Sequence, residues 1–487
     1  MRHHARAGLA WVGLALLLLG NAGLHLYAAD RFAERRLYGD ELLYVDLAEK
    51  HRDEGWETLL PANLEFSKRP PLWGHVLSRV APARAELEAC ARRQRSPDGC
   101  PAARDRKSVL RHRYLARGRL LNLAMFSLTL ALLYGQALLL GVPAPMAFLA
   151  PALLAALPRV AFHAHALWSE TLHMMLQTLA FTFLLLLLRG RSKAVGTYAC
   201  ALGAGAAMGC AILTRSTLTF FAPCSILLVG VQLYSDRRRR KLPRVLRFRR
   251  AFLAMAFVTL GIALAVGPKL WTEHTRGNGL RVAANTWINV RRGMRPVLSN
   301  TRRQRWLRAD SKAYRTWFDE AGRAAASAPR ARHPHRYVRR EQGARAHILQ
   351  FLTIADPWAL LTRQTTRTWA MLTQAPSHFE RSLGKRLSPR GTRRALAPMV
   401  AFDRHAFHWL LLLGLSTMPW MVRTRDGGWI LLGTFTAYYL VALIAVPINP
   451  RMALHMLPAL CLSLAATSAE LTAGVAGAVR RLRPRPL

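Results

Sequence analysis

The chain has 487 residues, 52% of them hydrophobic, and carries 70 Lys and Arg against 26 Asp and Glu, a formal charge of +44. Ordinary soluble classes fit poorly, because leucine-rich runs such as residues 14–19 and 184–188 lie in apolar windows long enough to cross roughly 30 Å of hydrocarbon. The charge invites a nucleic-acid reading, but the cations lie between apolar spans and form no separate basic domain, so anionic membrane lipids and phosphate-bearing substrates are the expected partners and nucleic acid is not.

Arg2-His3-His4-Ala5-Arg6 precedes an apolar stretch at residues 8–28, and Tyr27-Ala28-Ala29 offers small residues for signal cleavage. An apolar core of about 21 residues is longer than a signal-peptide core, which predicts a retained first transmembrane helix. Residues 30–117 are mixed and polar. They open with Gly39-Asp40-Glu41, where Asp40 and Tyr44 fall on one helical face and Glu41 lies about 100° round. Two readings of the acids stand: a helix start stabilised by the helix dipole, or a general base at a membrane surface.

Lys68-Arg69-Pro70-Pro71-Leu72-Trp73 lies in the same segment. Paired prolines fix an extended backbone, which either presents Lys68 or Arg69 to a phosphate or makes a plain rigid turn. Cys90 and Cys100 bracket a small loop and are either bridged, if that side is oxidising, or two free thiols. The six cysteines show no zinc spacing and no CxxC.

Further apolar spans are predicted at about 119–141, 143–161, 166–188, 194–214, 216–234 and 251–268, and at 405–422, 428–446 and 452–475. With the first helix this makes about ten. Pro143, Pro145, Pro151 and Pro158 argue against a straight helix over 143–161. The expected class is an all-α integral membrane protein with helical external loops. It divides into a transmembrane module at 1–268 that includes loop 30–117, an Arg-rich segment at 269–403, and the last helices with a basic tail at 404–487.

Counting alternately, every strongly basic short loop falls on one side: 189–193, 235–250, 423–427 and the tail Arg480-Arg481-Leu482-Arg483. That predicts a multi-pass inner-membrane protein with both termini cytoplasmic and with 30–117 and 269–403 external. In the latter, Ile348, Phe351 and Leu352 recur as on one helical face.

Near the external ends of the spans lie further polar groups. His163 and His165 with Glu170 are weak candidates for a metal site, interfacial histidines being the plainer reading. A carboxylate entering an apolar span, as Glu170 does, is costly and usually has a task. Thr214-Arg215-Ser216 and Asn449-Pro450-Arg451-Met452, with His455 one turn on, place arginines where they either hold a lipid-linked phosphate or snorkel to the interface.

Taken in order, these motifs resemble the GT-C superfamily of glycosyltransferases that use polyprenyl-phosphate sugars, in its protein O-mannosyltransferase and aminoarabinose-transferase branch. Gly39-Asp40-Glu41 with Tyr44 is similar to that family's acidic motif, Arg69-Pro70-Pro71-Leu72 to its Lys/His-Pro-Pro-Leu motif, Ser169-Glu170 to an acidic residue opening a later helix, and Leu213-Thr214-Arg215 to its Leu-Thr-Arg element. The segment from Gly267-Pro268 to Gly293 also resembles bacterial members. Arg451 sits where an Arg-Tyr is common, but Met452 replaces the Tyr and Arg69 the Lys or His.

The resemblance implies an inverting transferase that moves a sugar from a polyprenyl-phosphate donor to a hydroxyl of a glycan, lipid or protein acceptor. Asp40 would be the general base, with Glu41 orienting the acceptor or assisting. Lys68, Arg69, Arg215 and Arg451 would hold the donor phosphate, and Tyr44, Glu170 and His455 would support the site. A divalent metal is carried over only as an option from some relatives. The rival expectations are a lipid-linked glycan ligase, an anionic-lipid flippase or transporter, and a non-catalytic scaffold.

Overall fold

The computed structural model describes residues 2–31, 40–54, 71–80, 106–189, 194–235, 243–275, 345, 348, 357–373, 390–423, 427–445 and 450–482. Every regular element among them is helical. Six helices are long and apolar enough to cross a membrane: Arg117–Leu139, Glu170–Arg189, Val195–Thr214, Arg244–Thr275, Gly427–Ile444 and Ala453–Ala476. The chain is a multi-pass membrane protein. Two shorter apolar helices, Trp11–Leu26 and Phe221–Ser235, lie where the first and sixth predicted spans were expected.

The prolines act as expected on the third span. Helix α1 (Arg2–Arg31), α2 (Asp40–Glu54), α3 (Leu72–Arg79) and α4 (Arg106–Leu139) come first. Helix α4 then stops at Gly141, whose φ of 87° suits a residue without a Cβ. The Gly141 N–H donates to Leu138 and the Val142 N–H to Ala137, a pair that closes the orphan carbonyls of the last turn. Beyond it the span breaks into α5 (Ala144–Ala147), α6 (Leu149–Ala155) and α7 (Pro158–His165), with a bend of 65° before α7. Pro158 occupies the start of α7, where its missing N–H costs nothing.

Helices α8 (Glu170–Arg189), α9 (Ala194–Thr214), α10 (Phe221–Ser235) and α11 (Arg244–Thr275) form the middle of the bundle. Helices α9 and α11 approach through glycine. A methyl at Gly205 would fall on the Val258 carbonyl and one at Gly261 on the Leu202 carbonyl, so backbones touch where side chains would hold them apart. Helix α12 (Pro357–Thr373) belongs to the Arg-rich segment, and α13 (Arg390–Arg423), α14 (Gly427–Ala445) and α15 (Leu457–Leu482) close the chain. Helices α11 and α13 run well beyond the spans predicted at 251–268 and 405–422. The expected amphipathic helix near 348 lies almost wholly outside the described residues, of which Ile348 is helical and buried.

A large apolar core joins α4 through α15, and a smaller one seats α2 and α3. In the latter, Tyr44, Val45, Leu47 and Ala48 meet Trp73, Leu77, Met125, Leu167 and Leu172. The acidic start of α2 is therefore fastened to the bundle by packing.

Candidate active site

The site is built around the break at residues 166–169, between α7 and α8. Ala166 is extended, with φ −88° and ψ 135°, so the helical ladder stops and its backbone groups need other partners. In an apolar surrounding each unmet group costs several kcal/mol, roughly. Asn122 Nδ2 donates to the Ala166 carbonyl at 2.7 Å. Trp73 Nε1 donates to the Leu167 carbonyl at 3.0 Å, and the Leu167 N–H donates to Glu41 Oε1 at 3.0 Å. The Tyr44 hydroxyl donates to Ser169 Oγ at 3.1 Å. Three elements thus lend side chains to one unravelled stretch.

Asp40 is the first residue of α2, adjacent to Glu41. The Glu41 carboxylate is fully buried and engaged with the backbone of Leu167. Glu41 is thus tied to the scaffold through Leu167. Immediately after the break, Glu170 opens α8, where a negative charge is favoured by the helix dipole. Its carboxylate pairs with the Arg215 guanidinium, and both side chains are largely withdrawn from solvent. Arg215 follows the last turn of α9 in extended conformation, φ −152° and ψ 123°, and is itself held by its N–H to the Ala211 carbonyl at 2.9 Å.

A polar string continues from this pair. His173, one turn into α8, shares hydrogen bonds with the Ala211 carbonyl at 3.0 Å and the Tyr439 hydroxyl at 3.3 Å. Tyr439 also lies 3.3 Å from Thr217 Oγ1, and Tyr438 donates to the Thr217 carbonyl. The His455 ring stands edge-on to His173, centroids 4.5 Å apart, and Gln177 Nε2 donates to the His455 carbonyl at 2.7 Å. His455 belongs to a 3-10 turn, Pro450–Met456, which also carries Arg451.

The geometry thus brings together Glu41, Tyr44, Glu170, Arg215 and His455. Lys68 and Arg69 lie outside the described residues, as do Cys90 and Cys100, and nothing is described of the Asp40 and Arg451 side chains.

Among solved structures, the chain is similar to ArnT from Cupriavidus metallidurans bound to undecaprenyl phosphate. That match covers 95% of this chain and 79% of the other, with 16% identity and a TM-score of 0.40. The apo form of the same protein matches over 96% and 79%, at 15% identity and a TM-score of 0.37. The oligosaccharyltransferase AglB from Archaeoglobus fulgidus, in complex with an inhibitory peptide and a dolichol-phosphate, matches over 97% of this chain and 52% of its own, at 11% identity and a TM-score of 0.44. No family model and no curated protein matches. Scores of this size establish neither a family nor an activity.

Among the described residues, no three His, Cys, Asp or Glu side chains converge on a point where a metal ion would sit. His165 is instead stacked on His25, with Nε2 2.7 Å from His25 Nδ1. His163 packs against Trp168, ring centroids 5.2 Å apart, and its carbonyl accepts from Thr171 Oγ1 at 3.0 Å. Among the described residues, these two histidines therefore engage other aromatic rings, and His163 also engages Thr171 through its backbone carbonyl.

A buried ion pair between distant helices was not read from the sequence. Arg159, second residue of α7, grips Asp403 of α13. Nη2 lies 3.0 Å from Oδ2, Nε 3.1 Å from Oδ2, and the Arg159 N–H donates to Oδ1 at 2.8 Å. The guanidinium also lies 3.6 Å above the Phe407 ring. The signal was available, since an arginine directly after Pro158 in an apolar segment needs a counter-charge.

Proposed function

We propose that the chain is a membrane glycosyltransferase that moves a sugar from a polyprenyl-phosphate donor to an acceptor hydroxyl on the external face. The observation that carries this reading is the joining of α2 to the break. Glu41 and Tyr44 anchor the helix that begins with Asp40 to the stretch that opens Glu170, and Glu170 holds Arg215. The helix that begins with Asp40 and the partly buried Arg215 are in this way joined through one frame, as transfer from a phosphate requires.

In the reaction, Asp40 takes the proton of the acceptor hydroxyl as its oxygen attacks the anomeric carbon. The bond from that carbon to the donor phosphate breaks, and the phosphate leaves on its lipid with the additional negative charge. Configuration inverts at the carbon. Arg215, Arg451 and Lys68 or Arg69 stabilise the departing phosphate by charge-assisted hydrogen bonds. Glu41 serves by fixing the base-bearing helix, and Glu170 by aiming Arg215. No step is assigned to a metal.

A second reading is favoured by the 65° bend between α6 and α7, because broken helices are a feature of transporters. On that reading the protein is an anionic-lipid flippase. Purified protein in liposomes, given a radiolabelled polyprenyl-phosphate sugar, separates the two. Transfer of label to acceptor or water supports the enzyme, and movement between leaflets without bond cleavage supports the flippase. Near-normal transfer by folded Asp40→Asn would remove the general-base role.

A further inference from the structure

Helix α12 is neither long nor apolar enough to cross a membrane, yet it is held at the level where a span ends. Its Thr368 hydroxyl donates to the Leu443 carbonyl at 3.2 Å, and Leu443 is the last residue but one of the span Gly427–Ile444. At a rise of about 1.5 Å per residue, that contact lies close to the point where α14 leaves the hydrocarbon. Gln364, Thr368 and Leu372, spaced four apart on α12, form a buried row. Beside it runs a second row at the spacing of one helical face: Trp358, Leu361, Thr365 and Trp369. All four are exposed, Trp358 by 77%. The Thr365 and Thr366 hydroxyls donate to the Leu361 and Thr362 carbonyls at 2.8 and 2.9 Å, so neither needs water as a partner. The helix carries Arg363 and Arg367 and no acid.

We propose that this exposed row docks α12 onto the interfacial layer of the lipid bilayer, with both indole rings at the level of the head groups. Depth is the first argument, because the hydrogen bond to Leu443 places α12 beside the end of a span. Side-chain chemistry is the second. An indole has an apolar body and one N–H donor, which suits it to the zone between hydrocarbon and water, and two of them with a leucine on one face make a poor surface for bulk water. Charge is the third, since a helix with two cations and no anion complements the phosphates of anionic lipids. Helix α12 also packs against the turn Pro450–Met456, so the bilayer surface is brought beside the segment that carries Arg451.

The docking does not depend on the proposed reaction, so its test needs no activity. Full-length wild-type protein and the double variant Trp358→Phe/Trp369→Phe are reconstituted in liposomes of phosphatidylethanolamine and phosphatidylglycerol. Each is measured with and without phosphatidylcholine brominated near the carbonyl end of its acyl chains. The difference between the two tryptophan emissions reports the two rings. Its loss in the brominated liposomes is the expected result. Difference emission that survives bromine overturns the proposal, whether acrylamide on both sides quenches it, as for a face in water, or spares it, as for a face covered by protein. If the variant does not fold, a phospholipid with a benzophenone in its head group, photoactivated in liposomes of the wild-type protein, reads the same row. Adducts on residues 357–373 support the docking, and their absence while the ends of the spans are labelled overturns it.

Discussion

Arg215 and Glu170 meet where the last turn of α9 runs out beside the first turn of α8, and each supplies the charge that makes the other tolerable inside the bundle. Glu170→Gln leaves the guanidinium without a counter-charge. The expected cost in stability is about 3 kcal/mol, discounted for the partial exposure of Arg215. Arg215→Lys keeps the charge but loses the planar fork, and transfer should fall about 10–100-fold, mostly through a raised KM for the lipid donor. Thermal unfolding in detergent and donor-dependence of transfer read the two effects separately.

Asp40→Asn should lower kcat by about 10²–10⁴-fold, the usual range for a lost general base. Binding of the lipid donor should be unchanged, because the proposed base acts on the acceptor hydroxyl and not on the phosphate. A parallel loss of donor binding would instead point to a phosphate-facing or structural task for Asp40.

Glu41 is expected to behave differently from its neighbour. Glu41→Gln retains an oxygen for the Leu167 N–H and should keep most of the transfer activity. Glu41→Leu strands that N–H in an apolar setting, at about 1–3 kcal/mol, and loosens the seat of α2. Hydrogen exchange at Leu167 measures the difference directly.

His51 on α2 and His75 on α3 share a hydrogen bond. Burial, then the neighbouring His51 and Arg79 charges, lower the His75 pKa below its ordinary 6.5. Folded His75 thus binds fewer protons than unfolded His75. Its contribution to stability is present above pH 6.5 and is lost as pH falls through the lowered folded value. Protease protection of the α2–α3 unit should weaken over that acid window, and His75→Gln should flatten the dependence.

The contact of α9 with α11 predicts a steric failure. Gly205→Leu forces a side chain into the Val258 carbonyl and should destabilise the protein by about 1–3 kcal/mol or more, whereas the same change at Gly23, which has open space around its missing Cβ, should be nearly silent. Comparing the two by thermal unfolding checks it.

Much of the helical order was legible in the sequence, because apolar length and proline placement act locally. The broken third span follows from Pro143, Pro151 and Pro158, and α2 begins at the residue its acids mark. The ties between elements were not legible. Nothing near Leu167 announces that its N–H will find Glu41, and Arg159 gives no hint that its partner is Asp403 on a helix near the far end of the chain. Such pairings depend on which helices become neighbours, and local pattern does not encode that. The Glu170 carboxylate was conspicuous as a charge in an apolar span, while its pairing with Arg215 needed the packed bundle.

The unravelled stretch at residues 166–169 also imposes an order of assembly. Asn122, Trp73, Glu41 and Tyr44 all precede it in the chain, so these four side chains have been synthesised by the time it emerges. The stretch can be received into the membrane at once. The ion pair of Glu170 with Arg215 forms later, because Arg215 arrives only after two further helices have been made. Until then the last contact of the frame, the one between the first turn of α8 and the end of α9, cannot close.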